Sequence, residues 1–324
     1  MEVTVLMSVY NSDQYLDKAI NSILTQTYKD FEFIIIDDGS TDQSIEICKR
    51  FAQADSRIVF IENGKNLGLP KSLNNGILLA KGKYIARQDA DDYSAPNRLE
   101  IQLKFAKENS WADVIGSDCY VIDLADNVVY QDTSFSACSD HKDSLLKHHA
   151  IFPHGSAFVK KEKLLEVGLY DVRFYYVQDG ELWLRMISKN AKVHVINELL
   201  YYYRVGPNGS VKRNNAKLMF NKILRMNYAE NKSVELIDKE LAHVKAYLTH
   251  SKLVIKPHFM ADYWRSLGNA SYLRNSDKKL PHAYINKAIS ETNSFTNYPK
   301  YMLLKIVYML PSNFVKMFLK FKGA

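Results

Sequence analysis

The chain has 324 residues, 47% of them apolar and 24% charged. This is ordinary folded-protein composition with room for about two domains, and it excludes disordered, collagen-like and disulfide-scaffold classes. The formal charge of +7, from 43 Lys+Arg and 36 Asp+Glu, would by itself suggest a nucleic-acid partner, but it divides into −5 over residues 1–212 and +12 over residues 213–324.

Val3–Val9 reads as a first strand and not as a signal peptide, since Glu2 is acidic and no basic residue precedes the apolar run. Asp13–Gln26 places Leu16, Ala19, Ile20, Ile23 and Leu24 on one helical face. Phe31–Ile36 is a second strand, ending in Asp37-Asp38-Gly39-Ser40. Ser40 and Gln43 fit a capping box, which predicts a helix from there to about Gln53. Arg57–Glu62 is a third strand, and Pro70 suits the start of a helix over Ser72–Ala80. Tyr84–Gln88 is a fourth strand, followed by Asp89-Ala90-Asp91-Asp92. Pro96 suits the start of a helix to about Asn109, and Asp113–Ser117 is a fifth strand. Residues 120–212 mix short strands with a helix near Gly180–Asn190. From Asn214 onward the patterns are helical, with Pro257 and Pro281 expected to separate helices.

Strands alternating with helices imply βαβ units and a mostly parallel sheet. Ligands of such sheets bind beyond the carboxyl ends of the strands. Two acidic clusters, Asp37-Asp38 and Asp89/Asp91/Asp92, fall at such ends. The dinucleotide fingerprint GxGxxG is absent. The phosphate-loop pattern fails too, because Gly76 stands one residue too far from Gly82-Lys83 and Tyr84 replaces the Ser or Thr. A bound diphosphate would then need another counter-charge, and clustered carboxylates can hold a hard divalent cation. Asp89-Ala90-Asp91 suits that role; a solvated acidic loop, or a helix cap from Asp92 or Ser94, is the alternative. His148, His149 and His154 lack a matching Cys/His set for zinc. Cys48, Cys119 and Cys138 have no paired spacing and read as free thiols of a reducing, cytoplasmic compartment. No run of 18 apolar residues is present to span a membrane.

Taken together, the motifs resemble family 2 glycosyltransferases of the GT-A fold. Val3–Asn11 looks like the opening strand and turn, and Phe33–Asp42 is similar to the nucleotide-base loop. Asn66-Leu67-Gly68 and Asn74-Asn75-Gly76 match the next segment, and Ala86–Asp92 the DxD region. His154–Phe158 and Gln178–Arg185 resemble the acceptor-side motifs. The resemblance covers about residues 1–210. It implies a Rossmann-like, mostly parallel central sheet flanked by helices, with a C-terminal helical region. The implied division is a transferase domain over 1–212 (nucleotide-sugar half 1–117, acceptor half 118–212) and a basic helical region over 213–324.

The implied activity is transfer of a sugar, with inversion, from a nucleotide sugar, UDP-linked by expectation, to a glycan or lipid-linked oligosaccharide of a surface polysaccharide. Val9, Tyr10, Asn11 and Asp37 would hold the base, with Asp38 supporting the loop. Asp89 would face ribose or sugar, Arg87 would contact the donor, and Asp91 would bind Mn2+ or Mg2+. Asp179 would be the general base, with Glu181 as its runner-up or a first-turn acid favoured by the helix dipole. Trp183 is a core residue or a sugar platform. Three departures stand out: Ser8 where relatives often have proline, Gln178 where they have an acid, and Gly206 where many carry a metal-binding histidine. The last leaves His154 as a candidate ligand. Rival readings are a nucleotidyltransferase making nucleotide sugars and a non-catalytic glycan-binding module. The sequence leaves the oligomeric state open.

After Glu291 no acidic residue occurs, while Lys300, Lys305, Lys316, Lys320 and Lys322 remain. Phe314, Met317, Phe318 and Phe321 fall at helical spacing. This pattern over 292–324 suits peripheral contact with an anionic membrane; its alternative is an aromatic stripe packed on the core. A nucleic-acid partner is not expected, since no recognition motif is present.

Overall fold

The structure, a computed structural model, describes residues 1–207, 211–251, 259–274, 279–292 and 298–310. Its elements in chain order begin with β1 (Val3–Val9), α1 (Asp13–Leu24), β2 (Phe31–Asp37), α2 (Ser44–Ala54), β3 (Ile58–Glu62), α3 (Leu69–Leu79) and β4 (Tyr84–Asp89). There follow β5 (Tyr93–Ser94), α4 (Arg98–Glu108), β6 (Val114–Ile122), β7 (Val128–Asp132), α5 (His141–Leu146), β8 (Phe158–Lys160), α6 (Lys161–Val167) and α7 (Gln178–Ser188). The remainder is β9 (Val193–Arg204), α8 (Val211–Tyr228), α9 (Val234–His250), α10 (Phe259–Arg274), α11 (Lys279–Ser290) and α12 (Tyr298–Val307). The chain sorts into two compact units: Met1–Cys119, Asp132–Tyr203 and Asn215–His250 form one, and Tyr120–Gln131, Arg204–Asn214 and Ser251–Ala324 the other.

The expected helix-flanked sheet is present, with strand order β3-β2-β1-β4-β8-β6-β9-β5 and β7 beside β6. Its first four strands are parallel, while β8 runs antiparallel to both β4 and β6. β1 and β2 are apolar on both faces because each face is covered, as parallel strands require. On one face Leu6, Ile34 and Ile36 pack with Leu73 and Ile77 of α3. On the other, Val5, Met7, Phe33 and Ile35 pack with Leu16, Ile20 and Ile23 of α1. Gly76 lets α3 lie close: a Cβ there would come within 2.2 Å of a Leu6 methyl. Phe220 and Leu224 of α8 and Leu241 of α9 join the same core as Leu182 and Trp183 of α7.

Three local expectations change. Ser40 and Gln43 do not form a capping box. α2 starts at Ser44 with no side-chain cap at Gln43, and the Ser40 hydroxyl accepts from the Asn11 N–H instead (3.0 Å). A tertiary partner has displaced the local one. Pro96 precedes α4 by two residues, and Asn97 is its N-cap. Pro281 lies in the first turn of α11, where a missing N–H costs nothing. Pro257, Phe314, Met317, Phe318 and Phe321 lie outside the described residues.

The second unit has an aromatic core of Tyr263, Trp264, Tyr272, Tyr284, Tyr301 and Tyr308. Its hydroxyls are anchored: Tyr284 to Asp123 (2.9 Å), Tyr263 to the Val205 carbonyl (2.9 Å) and Tyr308 to Asn269 (2.6 Å).

Candidate active site

The parallel register sets the floor of the site. Val9 lies beside Asp37, and Ser8 beside Asp89. Both acids therefore stand at the carboxyl ends of their strands, two strand spacings or about 10 Å apart. Beyond β1 the chain turns through Asn11 at φ +48. The Asn11 side chain accepts from the Thr41 N–H (2.8 Å), tying the turn after β1 to the turn after β2. The Val9 carbonyl accepts from the Asp38 N–H (2.8 Å), and Tyr10 is half exposed.

Asp37 and Asp38 differ in what they hold. One oxygen of Asp37 accepts from the N–H groups of Gly39 (3.0 Å) and Ser40 (3.1 Å). The other, Oδ1, is buried without a hydrogen-bond partner among the described residues. Asp38 accepts from Asn63 (2.9 Å), the Ser72 hydroxyl (2.7 Å) and the N–H groups of Leu67 (2.8 Å) and Gly68 (2.9 Å). Three of these donors meet Oδ1 and one meets Oδ2, so both oxygens are engaged and Asp38 supports the loop into α3. Gly39 is required here: its φ is +79, and a Cβ would meet the Lys65 backbone at 2.5 Å.

At the end of β4, Arg87 is buried and donates to Asp89 Oδ1 (2.5 Å). Burial is the largest influence and works against the Arg87 cation, but Asp89, by charge and hydrogen bond, together with Tyr170 and Tyr201 outweighs it and keeps the guanidinium above its ordinary range. Arg87 therefore reaches Asp89, not open space. The Tyr201 hydroxyl accepts from the Asp89 N–H (3.1 Å). Arg98, fully buried, donates to the carbonyls of Arg87 (2.9 Å) and Gly155 (2.6 Å). Gly155 is packed so closely that a Cβ would strike the Tyr201 hydroxyl at 1.8 Å and Asp89 at 2.8 Å.

Asp91 is exposed on the turn after β4, and Asp92 is buried. No three His, Cys, Asp or Glu side chains converge among the described residues. Carboxylate oxygens from Asp91 and Asp89 fit Mn2+ or Mg2+, which takes few protein ligands and completes its shell with phosphate and water.

α7 supplies the third acid. Val177 precedes it at φ +56, a strained setting for a β-branched residue. Asp179 lies in the first turn, partly exposed, and no group among the described residues donates a hydrogen bond to it. Its charge and that of Asp89 both act on His154, Tyr170 and Tyr203, so the two carboxylates share one neighbourhood. Burial, with Arg87 beside it, depresses His154 to about 4, so the ring is neutral near pH 7. Its Nε2 is engaged by the Tyr170 hydroxyl (2.7 Å). Glu181 is buried and held by Arg185 (2.9 and 2.8 Å) and the Tyr228 hydroxyl (2.8 Å). That network ties α7 to α8 and leaves Glu181 no open oxygen to act as a base. Trp183 is 2% exposed and packs on Phe152, a core position with no face for a sugar. Gly206 belongs to the second unit, where its nearest neighbour is Leu124.

Sequence reasoning missed Arg98, Tyr201 and Tyr170, while Gly155 lay within the His154–Phe158 motif. Only Arg98 left a signal: a cation at the first position of a helix opposes the macrodipole, and calls for another reason to be there.

A half-parallel sheet with acids at the ends of β2 and β4, backed by an antiparallel return and helices, is the GT-A architecture. The chain belongs to the family described as Glycosyl transferase family 2, whose pattern matches residues 4–168. It is similar to an uncharacterised glycosyltransferase of Methanocaldococcus jannaschii, 37% identical over 207 residues, 63% of this chain and 70% of that one. In fold it resembles residues 1–349 of S. aureus TarS in complex with UDP (TM-score 0.56, 18% identity, 90% of this chain and 89% of that one). It also resembles a mannosyltransferase of Pyrobaculum calidifontis in complex with GDP-Man and Mn2+ (TM-score 0.55, 16% identity, 96% and 86%).

Proposed function

We propose that this glycosyltransferase is inverting and metal-dependent, and that it moves a sugar from a UDP-linked donor to a hydroxyl of a glycan or lipid-linked oligosaccharide in surface polysaccharide synthesis. One observation carries the reading: among the described residues Asp37 keeps an oxygen without a donor and Asp179 receives none, where both oxygens of their neighbours Asp38 and Glu181 are engaged.

Asp37 Oδ1 is an acceptor that needs a donor, and the imide N–H of uracil supplies one. Cytosine offers only a lone pair at that place and would face the carboxylate unpaired. Asp89, held by Arg87 and Tyr201, faces the ribose or sugar. Asp91 would hold a divalent ion, which would supply counter-charge for the diphosphate that leaves. Asp179 takes the acceptor hydroxyl proton as that oxygen attacks the anomeric carbon opposite the diphosphate. The bond to the diphosphate breaks, its electron pair departs with the phosphate oxygen, and the configuration inverts. The transition state is oxocarbenium-like. No covalent intermediate forms. The bound UDP and GDP-Man in the two structural relatives support a nucleotide-linked donor.

The test is donor turnover across a panel of nucleotide sugars with Mn2+. Asp91→Ala is expected to lower turnover by about 100-fold or more, and a chelator to abolish it until Mn2+ or Mg2+ is restored. Undiminished turnover in Asp91→Ala would overturn the metal assignment. Donor binding without turnover for any acceptor would favour a binding module.

A further inference from the structure

α12 is apolar on two sides. Tyr301, Leu304 and Tyr308 recur at helical spacing and belong to the aromatic core, where both tyrosines are 1% exposed. On the opposite side Met302, Leu303 and Ile306 are exposed, Leu303 by 62% and Ile306 by 59%, and exposed Met309 and Leu310 follow in the closing turn. At 100° per residue these five positions fill an arc of about 120°, with Lys305 at its edge. A helix that has already buried one face has no folding reason to carry a second aliphatic stripe. A contiguous stripe in water marks a contact surface.

Charge selects the partner. Residues 251–324 hold twelve Lys+Arg against three Asp+Glu, and nothing acidic follows Glu291. A second copy of the same surface would bring like charges together. A nucleic acid would use the lysines but not the stripe. An anionic lipid surface uses both: aliphatic side chains enter the acyl boundary, and lysine stems lie along it with their ammonium groups among the phosphates. No described helix is long and apolar enough to cross a membrane.

We propose that the exposed stripe of Met302, Leu303, Ile306, Met309 and Leu310, with Lys305 at its edge, forms a docking surface for an anionic membrane. The proposal stands on α12 and its charge, independently of sugar transfer.

The experiment is co-sedimentation of the full chain with vesicles of phosphatidylcholine, alone or mixed with phosphatidylglycerol. Binding is expected only to the mixed vesicles, and it should fall with salt as screening shortens. A Leu303→Gln, Ile306→Gln double variant should lose about tenfold or more of its partitioning at unchanged melting temperature. Lys305→Glu should weaken binding to the mixed vesicles. Wild-type protein that stays in the supernatant, or equal binding by the double variant, would overturn the proposal. So would a wild-type dimer that the double variant converts to monomer, because the stripe would then belong to a second copy.

Discussion

The end of β2 and the head of α7 each carry two acids close in sequence, one held by the protein through both oxygens and one with an oxygen left open among the described residues. At β2, Asp38 takes four donors and binds the loop into α3, while Asp37 keeps a buried oxygen with no partner among the described residues. At α7, Glu181 is clamped by Arg185 and Tyr228, while Asp179 receives no hydrogen bond from any described residue. On the proposed reading, neighbouring acids are thus divided between holding the fold and meeting a ligand, and counting donors tells them apart where residue type does not.

The sharpest way to break this division is at α7. Asp179→Asn keeps the shape but cannot take a proton, so kcat should fall about 10³-fold with little change in donor KM. Glu181→Ala should do the reverse. It leaves Arg185 buried without its partner and should cost about 3 kcal/mol in urea unfolding, while the folded enzyme keeps kcat within a few fold. Equal losses of kcat in the two variants would show that the division is false.

His154 sharpens the comparison through pH. Its folded value is about 4, against 6.5 for an ordinary histidine, with burial the main cause and Arg87 the next. The unfolded chain therefore binds a proton that the folded protein refuses as pH falls from 6.5 toward 4. Stability from this group is complete above pH 6.5 and is lost across that window, by about 2–3 kcal/mol. Unfolding free energy measured at several pH values should show that slope in the wild type, and His154→Asn should flatten it. An unchanged slope would place the titration elsewhere.

The strands and the acids at their ends were legible because both are local signals: a short apolar run, then Asp. Asp179, the proposed base at α7, was legible only through its motif. What was hidden depends on distance along the chain. Arg98 meets Gly155, and Tyr201 meets Asp89, across 57 and 112 residues. Nothing in either segment announces the other. Ser40 misled for the same reason, since Asn11 competes for its hydroxyl. The charge count needed the structure as well. Helices α8 and α9 pack in the first unit, and the basic excess lies in the residues after His250.

The smallest expected effect tests the pair at β2. In Asp37→Asn the side-chain oxygen still serves the Gly39 and Ser40 N–H groups, which turns the amide NH2 toward the ligand. Two donors then face each other wherever uracil binds, so UDP affinity should fall by about ten- to thirtyfold, the worth of one charge-assisted hydrogen bond. A cytosine nucleotide should lose less, or gain, because its ring nitrogen accepts. Asp38→Asn provides the contrast: lower stability, with the ratio of UDP to CDP affinity unchanged. Calorimetric titration of both nucleotides into both variants separates the roles. A base preference that moves with Asp38 and not with Asp37 would reverse the assignment, because only the acid with the open oxygen can read the edge of a base.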